Sequence, residues 1–407
     1  MTQEMRQLSE VARIFSGNSI PQKKKEELFC GLDAGTPYVA TKDVGTDHSI
    51  NYDNGVLIPE IHRGSFKLAP TNSVLICAEG GSAGKKVAHT DKDIYFVNKL
   101  FCVHPSEDMI SKYIFYYFLS NDFKLDFSNQ LTGLIGGVSL KKFKNLFIPY
   151  TSLEEQKRIV AILDKAFEDI DKARVTAERN LKNARELFDS YLQQVFSQRG
   201  ENCEQVLLSQ ITESISDGDH AAPPKSEHGI PFITISNINK VTNEVDFSST
   251  FRVPEEYYKD LKSNRKPTVG DVLYTVTGSY GIPVIVKEEK EFCFQRHIGL
   301  IRPNHTVDSN WLYYLMMSPQ VFKQADSGAT GTAQKTVSLK VLRGILVPNI
   351  PLNSQKEMVD GLNFIYKQSK CLENIYRKKL LALDELKKST LQKAFTGELI
   401  KRKGTAV

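Results

Sequence analysis

From Ile159 onward, apolar or small side chains recur at Leu163, Ala166, Ile170, Ala173, Ala177, Leu181, Ala184, Phe188, Tyr191 and Val195. Charged residues such as Lys172, Arg174, Glu178 and Arg179 fill the positions between them. Alternating steps of three and four with one extra four predict a long helix carrying a heptad seam with a single stutter. Ser152 followed by Glu155, just after Pro149, predicts a capping box at its start. The same grid returns at Met358, Leu362, Ile365, Ser369, Leu372, Tyr376, Leu380 and Leu383, after which Leu386, Leu391 and Phe395 carry the apolar face. Helices of about forty residues would each run about 60 Å. Stripes of that length are unfavourable in water, so each helix is expected to pack against the other. The seam then comprises Ile159, Leu163, Ile170, Leu181 and Phe188 against Met358, Leu362, Ile365, Leu372, Leu380 and Leu383.

The stretches before each helix follow another rhythm. Short alternating or β-branched runs (SVLICA, IYFVN, PFITIS, DVLYTV, PVIVK, HIGLIRP) are separated by Gly, Pro, Asn and Asp clusters, which predicts strands and turns. One amphipathic helix is expected in each stretch, over Lys112–Asn121 and from Trp311–Met317 onward. The predicted class is α+β. β-rich domains at 1–150 and 201–350 alternate with long helices at 151–200 and 351–407, the last ending in a basic tail.

Self-similarity ties the two halves together. Residues 138–160 read VSLKKFKNLFIPYTSLEEQKRIV, and residues 337–359 read VSLKVLRGILVPNIPLNSQKEMV. Adding 199 to each number aligns Val138–Phe196 with Val337–Phe395 without a gap, and 17 of the 59 positions are identical. Chance heptad leucines do not bring VSLK, a proline and QK into one register. Fainter echoes precede each copy: TPYVATKDV (36–44) against IPFITISNI (230–238), and SVLICAEGGSAGK (73–85) against DVLYTVTGSYGIP (271–283). The chain is a tandem duplication in which one part of each unit was held and the other drifted.

The 407 residues hold 41% hydrophobic and 25% charged side chains, with a formal net charge of +5. That is a folded-domain composition that permits an anionic partner without requiring one. No apolar run approaches membrane-spanning length, and the six cysteines stand singly with no CxxC pair, which points to a reduced cytoplasmic protein. GGSAGKK (80–86) fails as a phosphate loop, because Glu79 occupies the first glycine position and Lys86 stands where Ser or Thr belongs. No GxGxxG opens a helix, no HExxH occurs, and the Glu155-Gln156-Lys157 triplet lacks the upstream Asp of a nuclease motif. The expectation is a chain with no catalytic, cofactor or metal site of its own.

Polar and basic side chains in the predicted loops suit phosphates and base edges. They are Lys42, His48, Arg63, Lys85, Lys86, Asn98 and Lys99 in the first stretch, and Lys225, Asn237, Asn239, Lys240, Ser279, Tyr280, Gln295, Arg296, Gln334 and Lys335 in the second. Any one of them read alone is a solvated surface group. The glycines of GLIGG (133–137) and GTAQK (331–335) imply tight turns or close approach to a ligand.

Two β-rich variable stretches alternating with two heptad helices, each joined through VSLK, a proline and L-x-x-Q-K, resemble the specificity subunits of type I restriction–modification systems. The likeness covers essentially the whole chain. Leu153-Glu154-Glu155-Gln156 keeps the family's junction, while Leu352-Asn353-Ser354-Gln355 lacks its glutamate. The resemblance implies two target-recognition domains, each reading half of a bipartite, asymmetric site on double-stranded DNA. It also implies an antiparallel coiled coil that spaces them and docks two methyltransferase subunits, and restriction subunits through those. S-adenosylmethionine, ATP and Mg would belong to these partners, and no membrane is involved. A tandem adaptor with two protein-binding β modules is the alternative; a stand-alone nuclease or methyltransferase would need a motif that the chain lacks.

Overall fold

The computed structural model describes residues 4–133, 136–198, 203–220, 222–332 and 334–399. The basic tail at 401–403 lies outside the described residues, as do Leu134, Ile135 and Ala333 of the two glycine-bearing loops. The chain divides into two compact units, one of residues 4–177 with 378–399, the other of residues 178–377.

In the first unit, a four-stranded antiparallel sheet runs in the order Ala12–Ser16, Leu100–Pro105, Val74–Cys77, Val87–His89. A smaller sheet orders Leu57–Ile58, Thr36–Val39, Ile94–Phe96 and Leu68–Ala69, with its middle pair parallel. Val74 and Ile76 enter a core shared with helices, while Leu75 and Cys77 enter the core on the other face. Successive side chains point to opposite faces of a strand, so a strand covered on both faces reads as an unbroken apolar run.

The second unit repeats this topology. Thr212–Asp217, Ile298–Pro303, Val272–Thr275 and Pro283–Ile285 form the four-stranded sheet. Phe251–Val253, Ile230–Ile233 and Cys293–Phe294 form the smaller one, again with a parallel pair. Val272 and Tyr274 face the helical core and Leu273 the opposite one.

The single amphipathic helix expected over Lys112–Asn121 is two helices, Ser111–Leu119 and Asn121–Asn129. Ser120 ends the first in an extended conformation and caps the second by accepting from the Phe123 N–H at 3.2 Å. The second unit breaks at the same place, between Ser309–Met317 and Pro319–Ser327, where Ser318 caps and Pro319 takes the first turn. A serine that competes for backbone hydrogen bonds splits what the apolar pattern reads as continuous.

The long helices span Leu153–Gln198 and Leu352–Phe395. Half of the expected capping box forms: the Ser152 hydroxyl accepts from the Glu155 N–H at 3.4 Å, while the Glu155 carboxylate lies 3.9 Å from Arg158. The seam is partitioned rather than wholly helix on helix. Ile159 and Leu163 are buried in the core of the first unit together with Leu391, Ala394 and Phe395, and Phe167 meets Tyr116 edge-on. Met358 and Leu362 sink likewise into the second unit's core, where Ile365 packs at the edge and Phe188 meets Tyr366. Ile170 is buried, whereas Leu181, Leu372, Leu380 and Leu383 are half-buried. Within each unit the two helices run antiparallel. Asp171 and Arg174 meet Lys387 and Asp384 in the first, and Ala184 and Phe188 meet Ser369 and Tyr366 in the second.

The repeated glutamine now has a physical reason. Gln156 is fully buried: its Oε1 accepts from the Ile110 N–H at 2.9 Å, and its Nε2 donates to the Asp108 and Thr151 carbonyls at 3.0 and 2.9 Å. Gln355 does the same at the Asp308 N–H (2.8 Å) and the Thr306 and Ile350 carbonyls (3.1 and 2.7 Å). Each glutamine pins the start of a long helix to the start of the helix after the main sheet. One turn or two further on, the Tyr116 hydroxyl donates to Asp164 and the Tyr314 hydroxyl to Asn363.

Candidate nucleic-acid interface

Both β-rich modules gather three loops at the same end of the main sheet. In the first, the chain leaves Val74–Cys77 and turns through Gly80 and Gly84, at φ of 80° and 70°. The Ala78 N–H donates to the Lys99 carbonyl (2.9 Å), Gly80 to Gly136 (2.8 Å) and Val138 to Ala78 (3.0 Å). In the second, Val276 donates to His297 (2.9 Å), Gly278 to Lys335 (3.1 Å) and Val337 to Val276 (2.8 Å). A Cβ on Gly84 would meet the Phe127 ring at 2.6 Å, and one on Gly281 would meet Phe322 at the same distance, so only glycine fits either loop. The frame is held by backbone hydrogen bonds, which leaves the side chains at its rim free to differ.

On the first frame, Lys85, Asn98 and Lys99 are exposed. The Lys86 ammonium donates to the Thr41 carbonyl at 2.9 Å, which places exposed Lys42 beside this group. His48 turns inward instead. Its Nδ1 sits 2.9 Å from the Val87 carbonyl and its ring meets Phe115 edge-on, and burial pushes its pKa down, helped by nearby Lys387 and Lys124. Arg63 stands apart, paired with Glu60 at 2.7 Å beside the cluster around Phe29 and Tyr95.

On the second frame the polar groups interlock. Lys240 donates to the Ser279 hydroxyl at 2.6 Å, and Lys335 lies 2.9 Å from Asp326. The Tyr280 hydroxyl also donates to Asp326, while its ring stacks on Phe322 at 5.8 Å and 11°. The Tyr280 and Lys335 donors hold the Asp326 carboxyl below its usual range, and Asp326 in turn raises Lys335. Gln334 crosses Gly278 closely enough that a Cβ there would lie 3.0 Å from its Nε2. Gln295 and exposed Arg296 lie in the turn before Ile298–Pro303. Asn239 shapes its own turn, accepting from the Val241 and Thr242 N–H groups.

Beside His48 and Arg63, two candidates of the second module do not join this surface. Asn237 is buried with its amide committed: Oδ1 accepts from Thr234 and Nδ2 donates to Ser249 at 3.1 Å. Asp43 holds the matching place in the first module, accepting from the Ala40 N–H and Asn54. Lys225 lies 5.4 Å from the Phe251 ring centroid, on the smaller sheet. Asp326 and Phe322 escaped the sequence reading because their bonds to Tyr280 and Lys335 exist only in the fold. Exposed ammonium, guanidinium and amide groups on a rigid frame can pair with phosphate oxygens and base edges. Among the described residues no group of His, Cys, Asp or Glu side chains is placed to hold a metal ion, and no helix is long and apolar enough to cross a membrane.

Known proteins resemble this chain over most of its length. The family model for the type I restriction modification DNA specificity domain matches twice, at residues 2–178 and 209–380. The type I restriction enzyme EcoBI specificity subunit of Escherichia coli is 22% identical over 96% of this chain and 85% of its own. The MjaVIII specificity subunit of Methanocaldococcus jannaschii is 25% identical over 81% of this chain and 79% of its own. Among solved structures, the HsdS subunit from Thermoanaerobacter tengcongensis superposes with a TM-score of 0.64 at 21% identity, covering 97% of both chains. A chain from a structure of complex assembly and conformational transition in the type I R-M system reaches 0.76 at 19% identity, covering 97% of this chain and 98% of that one. These two likenesses are of fold.

Proposed function

The chain belongs to the type I restriction modification DNA specificity family, and from that premise we propose that it gives a restriction–modification complex its DNA sequence specificity. The β-rich domains at 1–150 and 201–350 each read one half of a bipartite, asymmetric site on double-stranded DNA. The long helices set the spacing between the half-sites and dock two methyltransferase subunits, with restriction subunits joining through them. Adenine methylation, S-adenosylmethionine, ATP and Mg belong to those partners. The observation that carries this reading is the pair of loop frames, matched bond for bond and fitted with different side chains. Equivalent frames suit the local two-fold symmetry of a duplex, and unlike rims suit unlike words.

The test uses the full chain produced with its partner methyltransferase and reads the methylated sites of the host genome. Replacing Gln334 and Lys335 by alanine should relax or abolish one half of the modified motif and leave the other half unchanged. Replacing Lys85 and Lys86 should do the reverse. A host methylation pattern that is the same with and without this gene would overturn the reading. Inserting one heptad after Ala177 should lengthen the unread spacer while both half-sites persist.

A further inference from the structure

The two long helices carry a charge reversal across the duplication. Residues 171, 174, 178 and 185 are Asp, Arg, Glu and Arg; their equivalents 370, 373, 377 and 384 are Lys, Glu, Arg and Asp. Each of these four signs is inverted, whereas Arg179/Lys378 and Glu186/Glu385 keep theirs. Two of these positions make the same contact in each unit: Arg174 pairs with Asp384 in the first, and Arg185 with Glu373 at 3.6 Å in the second. Glu373 has a side chain only 7% exposed and is also flanked by Lys370 and Arg377, at 3.1 and 2.9 Å.

We propose that this inverted layer makes each half of the chain select the other half, and reject a second copy of itself, as its helical partner. The duplicated helices share the positions of their apolar grid, but Ala166, Ala173, Ala177 and Ala184 in the first stand where the second has Ile365, Leu372, Tyr376 and Leu383, so side-chain size disfavours self-pairs before charge is counted. In an antiparallel self-pair of the first half, Arg174 of each copy would face Arg185 of the other. In a self-pair of the second half, Glu373 would face Asp384 and lose Arg185. Both clashes would occur twice by symmetry. The adjacent layer does not discriminate. Lys387 lies 4.5 Å from the Phe167 ring centroid, and its equivalent Phe188 packs on Tyr366. Self-pairing there would only exchange an aromatic pair for a cation over a ring. The charged layer adds like-charge contacts to the size mismatch of the seam, and these oppose each self-pair.

The experiment produces residues 1–200 and 201–407 together with different tags, so that every residue of the chain is present, and counts pairs by native mass spectrometry. The mixed pair should exceed its statistical half share, leaving each self-pair at least about tenfold below it. Arg185→Asp should shift the balance toward the self-pair of the first half, since a carboxylate at that position suits Arg174 of a second copy and repels Glu373. Asp384→Arg should do the same for the second half. A statistical mixture, or one that Arg185→Asp leaves unchanged, overturns the proposal. If the pieces do not assemble, a double-mutant cycle in the full chain decides. Arg185→Glu should lower the melting temperature, and Glu373→Arg added to it should cost less than the two single losses together, although Lys370 and Arg377 keep the double variant below the parent; additive losses overturn the proposal as well.

Discussion

The two modules share a skeleton yet brace it at one equivalent point by different chemistry. Where the main sheet of the second module begins its Val272–Thr275 strand, Asp271 is almost fully buried and receives a two-pronged contact from Arg302, Nε at 3.0 Å and Nη2 at 2.8 Å. Arg302 also reaches the Lys266 carbonyl, and Thr268 donates to the same carboxylate at 2.8 Å. In the first module the same two positions hold Ser73 and His104, joined by a 3.0 Å hydrogen bond, with the Ser73 hydroxyl donating to the Pro70 carbonyl at 2.7 Å. One site needs an ion pair with every partner in place; the other is a neutral contact with little to lose. Drift in sequence has kept the geometry and exchanged the electrostatics.

That contrast breaks most sharply at Asp271. Removing one member of a buried pair strands the other's charge, so Asp271→Ala should cost about 3–5 kcal/mol. Ser73→Ala should cost less, about 1–2 kcal/mol, the net worth of its hydroxyl's neutral hydrogen bonds to Pro70 and His104. Urea unfolding of the full chain, with hydrogen exchange to locate the loss, measures both. Equal costs would mean that the two braces are interchangeable.

The glutamine pins sharpen the comparison from the other side, because here the modules agree. Gln156→Ala and Gln355→Ala each leave a helix-start N–H and two carbonyls without their partner. Each should cost about 2–3 kcal/mol and loosen amide protection at Ser111–Leu119 or Ser309–Met317 respectively. Unequal effects would show that the repeated QK serves only one copy.

Those pins also mark how far the sequence could be read. Gln156 and Gln355 were visible as a repeated letter pair, but their role needs Ile110 and Asp308 nearby, and no local pattern places residues 46 or 47 positions apart. The long helices were legible because their periodicity is local. Their partition was not: Ile159 and Leu163 obey the same heptad as Leu181, yet they lie in a module's core while Leu181 is half-buried. Loop candidates divided by the same logic. Lys85 and Lys335 sit on the frames beside glycine turns and Lys99 where its carbonyl accepts from the Ala78 N–H, whereas Asn237 turned inward to brace Thr234 and Ser249. An amide in a loop reads alike whether it caps a turn or faces a ligand.

The smallest effect expected concerns acid. His48, His89 and His104, all in the first module, have their pKa lowered chiefly by burial; Lys124 and Lys387 add to this at His48, Lys112 at His89 and Arg13 at His104, while Asp47, Asp91, Asp93 and Asp164 oppose it. A depressed histidine favours the fold while neutral. Its contribution is fully present above the unfolded value of about 6.5 and is lost as pH falls from there through the folded value, because the unfolded chain binds protons that the fold refuses. At the equivalent of His104, Arg302 is charged at every pH in this range, held so by Asp271. The first module should therefore lose protection between pH 7 and 5 ahead of the second. Hydrogen exchange, corrected for intrinsic rates, would show it at Ala12–Ser16, Val74–Cys77 and Leu100–Pro105 before Thr212–Asp217, Val272–Thr275 and Ile298–Pro303. The paired change His48→Gln and His89→Gln should narrow the gap, since both side chains then stay neutral throughout. A loss of equal size in both modules would place the acid sensitivity elsewhere, in carboxylates such as Asp108 and Asp326 whose pKa values are lowered and whose contribution fades only at lower pH.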